Sequence, residues 1–312
     1  MSSCLICYQP LNADQTDYHP VCIKKLFGTS QVPIIDFELN QIEELAKQII
    51  IKSKAVTGVQ PKLSVNIEKN RQTPTRLTIV GLQGDFILKP PTSIYKELPE
   101  NEDLTMHLAE LVKIKTAKHG LIRLKSKELA YITKRFDRIK GAKIAVEDFC
   151  QLSENLTEHK YRGSIEQLGK LVYTFTKNQG YEAQRLFEIV LFSYLTGNAD
   201  MHLKNFSIIE NQFGEFELSP AYDLLNTAII MPDDLEESAL TINGKKNKLK
   251  INDFNKLADS LKINEKSLNS IKKRYTAILP IWINCIDSSF LTAETKLIYK
   301  NLIIKRHQKL FP

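Results

Sequence analysis

Apolar positions fall into two regimes along the chain. Between residue 30 and about 137 they alternate or form short runs; beyond about 145 they recur every three or four residues. The alternation Leu63-Ser64-Val65-Asn66-Ile67 predicts a strand. Residues 77–80 and 86–88 predict a hairpin turning at 81–84, and Pro90-Pro91 ends its second strand just beyond Lys89. A further strand is expected over 129–136, closing at Asp137. Two helices interleave with these strands. Asp36 N-caps the first, whose apolar face is Leu39, Ile42, Leu45 and Ile49. The second covers 101–113, with Leu104, Leu108, Leu111 and Val112 on one face.

In the second half, Ser164 and Gln167 have the spacing of a capping box. A helix over 181–196 would bury Leu186, Ile189, Val190, Tyr194 and Leu195 and stop at Gly197-Asn198. One hairpin interrupts the helices, with strands at 206–209 and 216–218 and a turn at 211–214. Helix returns over 264–279 and 291–309. The expected fold class is α+β and bilobal. A small Cys-containing cap covers 1–29, a strand-rich N-lobe 30–140 and a mainly helical C-lobe 141–312, with a cleft between the lobes.

Composition adds exclusions. The 312 residues suffice for two lobes, and 43% hydrophobic with 25% charged residues is ordinary for a globular protein. No apolar run approaches the roughly 18 residues of a membrane span, and the N-terminus does not read as a signal peptide, so a cytoplasmic protein without a membrane partner is expected. The net charge of +7 is spread along the chain, which predicts solvated faces rather than a nucleic-acid footprint. The five cysteines are Cys4, Cys7, Cys22, Cys150 and Cys285, and an odd count speaks against a disulfide framework. Cys4-x₂-Cys7 with His19-x₂-Cys22 has the ligand types and close pairs of a structural Zn²⁺ site; reduced cysteines packing within the cap are the alternative.

The stretch Asp200-Met-His-Leu-Lys-Asn205 carries the most chemistry. It follows an apolar helix and precedes the hairpin, and Ala221-Tyr222-Asp223 lies beyond that hairpin. An antiparallel turn centred near 212–213 pairs residues whose numbers sum to about 425. Asn205 then lies opposite about 220, and Asp223 leaves the hairpin at the same open end. An Asp, an Asn five positions on and a second Asp form a phosphoryl-transfer constellation. Asp200 would accept a hydroxyl proton, while Asn205 and Asp223 would offer Mg²⁺ the oxygen ligands it prefers, against ATP phosphates. Taken singly, the three also read as a turn residue, a cap and a helix start. His202 and Lys204 lie in the same loop, where Lys204 either meets the transferred phosphate or is solvated. Lys89 ends an apolar strand, a usual position for a phosphate-binding Lys, and Glu102 opens the following helix, where a carboxylate could hold it; the alternative is a snorkelling edge lysine. Thr57, Gly58, Val59, Gln60, Pro61 and Lys62 precede the first clear strand. One glycine beside a threonine could bring backbone N–H groups to phosphate, although the three glycines of a kinase loop are missing.

These motifs, in order, resemble the HipA family of bacterial serine/threonine kinase toxins. They are T-G-V-Q-P-K (57–62), F-I-L-K-P (86–90), N-E (101–102), K-R-F-D-R (134–138), E-D-F-C-Q (147–151), G-N-A-D-M-H-L-K-N-F (197–206) and P-A-Y-D (220–223). The resemblance implies Asp200 as catalytic base and Lys89 as the phosphate-binding lysine. It implies Asn205 and Asp223 as Mg²⁺ ligands, 57–62 as a loop covering ATP, and Lys134, Arg135 and Phe136 as a hinge meeting adenine. His202, Lys204 and Tyr222 join the ATP-binding set. It further implies a toxin of a toxin–antitoxin system, with an aminoacyl-tRNA synthetase as substrate. The family's loop often carries a serine where Ala55 stands, so self-phosphorylation would pass to Thr57. Family members usually carry an additional N-terminal subdomain that has no counterpart here. The chain therefore looks like the short HipT-type kinase. Its partners would be a small HipS-like protein and a DNA-binding antitoxin, with DNA met only indirectly. A small-molecule phosphotransferase and a catalytically silent module of an antitoxin–DNA complex stay open beside it.

Overall fold

The computed structural model describes residues 2–42, 44–45, 61–68, 74–80, 84–139 and 141–312. The chain forms two compact units. The first comprises Met1–Asp103, Ala117–Gly141 and Ser288–Phe290; the second comprises Leu104–Thr116, Ala142–Asp287 and Leu291–Pro312. The expected mixture of a strand-rich and a mainly helical unit is what the described residues form.

The strand-rich unit is built on an antiparallel sheet. Its strands are β1 (Leu63–Glu68), β2 (Arg76–Ile79), β3 (Phe86–Lys89), β4 (His119–Arg123) and β5 (Leu129–Lys134). Among the described residues their order is β2-β1-β3-β5-β4. The expected hairpin between 77–80 and 86–88 does not form. Both strands pair with β1 instead, Ile79 and Phe86 each lying opposite Val65. Apolar runs announce that strands exist, but their neighbours are set by where the chain crosses. Here it crosses at Gly84. A Cβ on Gly84 would lie 2.7 Å from both the N and the O of Val65, so no side chain fits. The crossing is pinned by Val80 N to Ser64 O (2.9 Å), Gly84 N to Ser64 Oγ (2.9 Å) and Asp85 N to Asn66 Oδ1 (2.7 Å).

Asp36 does not cap the helix that follows it. Helical residues begin at Leu39, and Ile42 N donates to Glu38 O at 3.1 Å. Asp36 instead pairs with Arg76 at 3.1 Å. Leu39 and Ile42 face the core as expected, while Ile49 lies outside the described residues. Strand β4 has no apolar alternation to announce it. Its Gly120 leaves room for Ile6 and Leu26, and Leu121 N donates to Leu5 O at 2.9 Å. The N-terminal residues thus share one core with the sheet, in which Leu5, Leu26, Phe27, Leu63, Phe86 and Leu121 are buried together. The helix α1 (Pro20–Phe27) closes with Gly28 at φ 67°. Helix α2 (Leu98–Leu111) starts three residues before the expected 101, and the boundary between the units runs through it.

The helical unit centres on α3 (Ile165–Phe175) and α4 (Gln179–Thr196). The capping box forms: Gln167 N donates to Ser164 Oγ at 3.2 Å and Ser164 N to Gln167 Oε1 at 3.0 Å. Helix α4 is buried on nearly every face from Leu186 to Thr196, and Gly197 ends it at φ 80°. Leu279 does not end the preceding helix; Glu265–Ala277 stops first, and Leu279–Ser288 is a new helix with Pro280 in its first turn, where a missing N–H costs nothing. That helix carries Trp282, packed edge-on against Phe192 and Tyr275. Strands β6 (Val146–Asp148), β7 (Ser207–Glu210) and β8 (Phe216–Leu218) form a small antiparallel sheet with β7 central. Phe216 pairs with Glu210 and Leu218 with Ile208, one position from the expected register. The three-residue β6 was too short to read from the pattern. Among the described residues, no helix is long and apolar enough to cross a membrane.

Candidate active site

In the helical unit, the loop between α4 and β7 is tied by its own backbone. Asp200 N donates to Asn198 Oδ1 at 3.1 Å, and Ala199 N to Thr227 Oγ1 at 2.8 Å. The Asp200 carbonyl then accepts from His202 N and from Asn205 Nδ2, both at 2.8 Å. This closes a single 3₁₀ turn, Leu203–Asn205. Because Asn205 spends its amide N–H on that carbonyl, its Oδ1 is the atom left for a ligand. The Asp200 carboxylate accepts from the Tyr161 hydroxyl at Oδ1, 2.7 Å away. Burial, and then this carboxylate, raise the Tyr161 pKa, which keeps the phenol a donor.

His202 stands edge-on to Tyr161, with ring centroids 5.0 Å apart. Its Nδ1 is buried without a hydrogen-bond partner among the described residues. Burial holds the imidazole below its ordinary pKa and Lys160 adds to this, while Asp200 and Asp223 pull the other way. Both carboxylates therefore act on one ring. Asp223 adopts φ 58°, in the left-handed region that non-glycine residues seldom use. It does not start a helix. The segment before it is held on both sides: Tyr222 Oη donates to Lys204 O at 3.0 Å, and Ala221 N to Lys115 O at 2.8 Å.

The Lys204 side chain is 34% exposed and is paired within the same unit. Its Nζ donates to Asp148 Oδ2 at 2.7 Å. The other oxygen of Asp148 accepts Gln151 N at 2.9 Å in a capping box. Sequence reasoning missed Asp148 and Tyr161 as neighbours of the loop. The D-x-x-Q spacing at 148–151 was a visible signal for the first; nothing local marks the second.

In the strand-rich unit, Lys89 Nζ lies 2.6 Å from Glu102 Oε1, with side chains only 5% and 1% exposed. The ammonium also stands over the Tyr131 ring, 5.4 Å from its centroid. A snorkelling edge lysine would be wet, and Lys89 is not. Lys134 ends β5, with its N bonded to Lys118 O at 2.7 Å. Arg135 N donates to Asp85 O at 2.8 Å. The Arg135 and Arg138 guanidiniums both grip Asp137, at 2.7 and 2.6 Å. Burial pushes the Asp137 carboxyl up, but Arg135 and Arg138 outweigh it and hold the pKa below the ordinary value. Phe136 lies in the turn after β5. Pro61 is half-buried and Lys62 exposed, while Ala55, Thr57, Gly58, Val59 and Gln60 lie outside the described residues. Cys4, Cys7, His19 and Cys22 place one ligand atom each within 4.8 Å of one another.

The fold is kinase-like. It superposes on HipA of Shewanella oneidensis MR-1, solved in a complex with HipB and operator DNA, with TM-score 0.68 and 22% identity over 85% of this chain and 70% of that one. It also superposes on the proinflammatory kinase CtkA of Helicobacter pylori, with TM-score 0.54 and 15% identity over 80% of this chain and 93% of that one. The profile of the HipA-like C-terminal domain matches residues 54–282, and the chain belongs to that family. A kinase-named relative from Haemophilus influenzae is 29% identical over 186 residues, 56% of this chain and 53% of its own. The serine/threonine-protein kinase toxin HipA of Shewanella oneidensis is 29% identical over 206 residues, 59% of this chain and 45% of its own. The chain thus spans about half the length of the curated relatives it matches.

Proposed function

We propose that this chain is an ATP- and Mg²⁺-dependent serine/threonine protein kinase acting as the toxin of a toxin–antitoxin system. The buried Lys89–Glu102 pair carries the reading, because a strand lysine held by a helix glutamate is what protein kinases require for phosphate binding.

The residues fit the nucleotide and its metal. Asn205 Oδ1 and the Asp223 carboxylate are hard oxygen donors, with no sulfur among them, as Mg²⁺ demands. The buried and unpartnered Nδ1 of His202 is a polar atom suited to a ligand. Bound Mg²⁺ would neutralise phosphate charge. Lys89 holds phosphate oxygens, and the Asp148 pair keeps Lys204 from wandering. The Tyr161 bond fixes one oxygen of Asp200 and leaves Oδ2 to take the proton from the attacking hydroxyl. Residues 57–62 would be the segment that meets the nucleotide phosphates, with Thr57 the site of self-phosphorylation. Lys134, Arg135 and Phe136 would meet the adenine through backbone groups other than the Lys134 and Arg135 N–H, which are bonded to Lys118 O and Asp85 O, while the Arg135 side chain is committed to Asp137.

The substrate is a protein hydroxyl, on an aminoacyl-tRNA synthetase. The kinase is of the short HipT type and cytoplasmic. A small HipS-like protein binds residues 30–137 and restrains it, and a DNA-binding antitoxin joins that assembly, so that DNA is met indirectly. The complex of the Shewanella HipA with HipB and operator DNA supports the antitoxin and DNA part of this arrangement by analogy.

The test is transfer of γ-labelled phosphate from ATP. Label on protein and none on small alcohols is expected. Label only on small alcohols makes the chain a small-molecule phosphotransferase; no turnover makes it a silent binding module.

A further inference from the structure

The four N-terminal candidate ligands sit where a metal would draw them. Cys7 Sγ is 3.3 Å and Cys22 Sγ 4.0 Å from His19 Nδ1, and Cys4 Sγ completes the group within the same 4.8 Å. Tetrahedral zinc, with Zn–S near 2.3 Å, needs ligand atoms about 3.8 Å apart, so only small shifts, some inward and some outward, separate this cluster from a closed site. The histidine is already oriented. Its Nε2 faces Pro10 O at 3.0 Å, and a proton on Nε2 leaves the Nδ1 lone pair directed at the sulfurs. Two backbone features bring the pairs together. Cys4 and Cys7 flank a tight turn closed by Tyr8 N to Cys4 O at 3.0 Å, and Cys22 lies in the first turn of α1, whose N-cap is His19. Cys150 and Cys285 are not part of the cluster. Plain packing of reduced cysteines gives no reason for three sulfurs and one oriented imidazole to converge.

The cluster is also wired to the Lys89–Glu102 pair. Tyr8 follows Cys7, takes φ 62° and is buried. Its hydroxyl donates to Asp103 Oδ2 at 2.7 Å, and the other oxygen of Asp103 meets His119 Nδ1 at 2.6 Å. Asp103 is the next residue after Glu102 on α2. The N-terminal turn therefore bears on the part of the helix that presents Glu102.

We propose that Cys4, Cys7, His19 and Cys22 bind one structural Zn²⁺, and that this ion fixes the turn from which Tyr8 anchors Asp103 beside Glu102. Residues 2–28 contain a single eight-residue helix and no strand, and a segment so poor in regular structure gains most from a metal staple.

Metal content of the full chain, purified without chelator, tests the site independently of any kinase activity. About one zinc per chain is expected, and replacement by Co²⁺ should give the intense visible bands of a tetrahedral thiolate site. Cys7→Ser should lose the metal. Because that variant could fail to fold, His19→Cys supplies the second arm: it converts the set to four thiolates and should keep the zinc. Tyr8→Phe should keep the zinc yet unfold at lower denaturant, and an unchanged midpoint would remove the anchor. A folded wild-type chain that holds no zinc, takes up no Co²⁺ and keeps residues 2–28 resistant to protease would overturn the proposal. So would a disulfide among these cysteines in the intact mass.

Discussion

Removing one member of the Lys89–Glu102 pair should be far more damaging than removing both. The partners are 2.6 Å apart with side chains 5% and 1% exposed. At an effective dielectric near 20 their attraction is about 6 kcal/mol, most of it offset by the desolvation of two charges. Glu102→Gln keeps the shape and deletes the charge, which strands a buried ammonium at an expected cost of about 3–5 kcal/mol. Lys89→Met strands the carboxylate and should cost about as much. Lys89→Met with Glu102→Leu replaces the pair by apolar atoms and should recover most of the loss, so the coupling in the double-mutant cycle is large. The assay must report on the strand-rich unit. The single tryptophan, Trp282, lies in the helical unit with its Nε1 bonded to Leu108 O at 2.9 Å, so its fluorescence reports chiefly on that unit. Far-UV circular dichroism in urea, with amide hydrogen exchange across 86–89 and 98–103, reads the right region. All three variants should lose phosphoryl transfer, the double one despite its restored stability. Single variants within about 0.5 kcal/mol of wild type, or a double variant whose loss is the sum of both, would refute the buried-pair argument.

Three further outcomes follow from other parts of the chain. Gly84→Ala forces a Cβ to 2.7 Å from the Val65 backbone and should destabilise the strand-rich unit by about 1–3 kcal/mol or more in urea titrations; unchanged stability would deny the crossing. Burial raises the Glu100 carboxyl from 4.5 to about 7, opposed by its own backbone N–H and aided by Glu97 and Asp103. The folded state then holds an extra proton between those values, so stability present at low pH is lost as pH rises through about 7. Glu100→Gln should be neutral near pH 4 and stabilising by at most about 3 kcal/mol near pH 8; equal effects at both would deny the burial. Asp223→Ala should weaken Mg²⁺-ATP binding in calorimetric titration more than Asn205→Ala, since only the first removes a charge; unchanged affinity in both places the metal elsewhere.

What the sequence made legible were features encoded within a few residues. The Ser164 capping box, the Gly197 stop and the apolar face of α4 are local devices, and all formed as expected. The pairing of β1 with both β2 and β3 was illegible, because the crossing at Gly84 depends on contact with a backbone some twenty residues earlier. Asp36 shows the same limit: a good capping residue was claimed by Arg76. In the candidate site, the D-x₄-N spacing and the strand lysine were visible from the start. Glu102, the partner of that lysine, was visible too, but the partners of Asp200 and Lys204 were not. Tyr161 on Asp200 and Asp148 on Lys204 are contacts across 39 and 56 residues, and no periodicity marks them.

The central claim is that Asp200 takes the proton of a substrate hydroxyl. It is tested most directly by comparing wild type with Asp200→Asn in transfer of γ-labelled phosphate from ATP to protein, with unfolding and Mg²⁺-ATP affinity measured on the same preparations. The near-isosteric amide cannot accept the proton, so transfer should fall by about two orders of magnitude or more while fold and nucleotide affinity persist. Undiminished transfer by a folded Asp200→Asn chain would contradict the account.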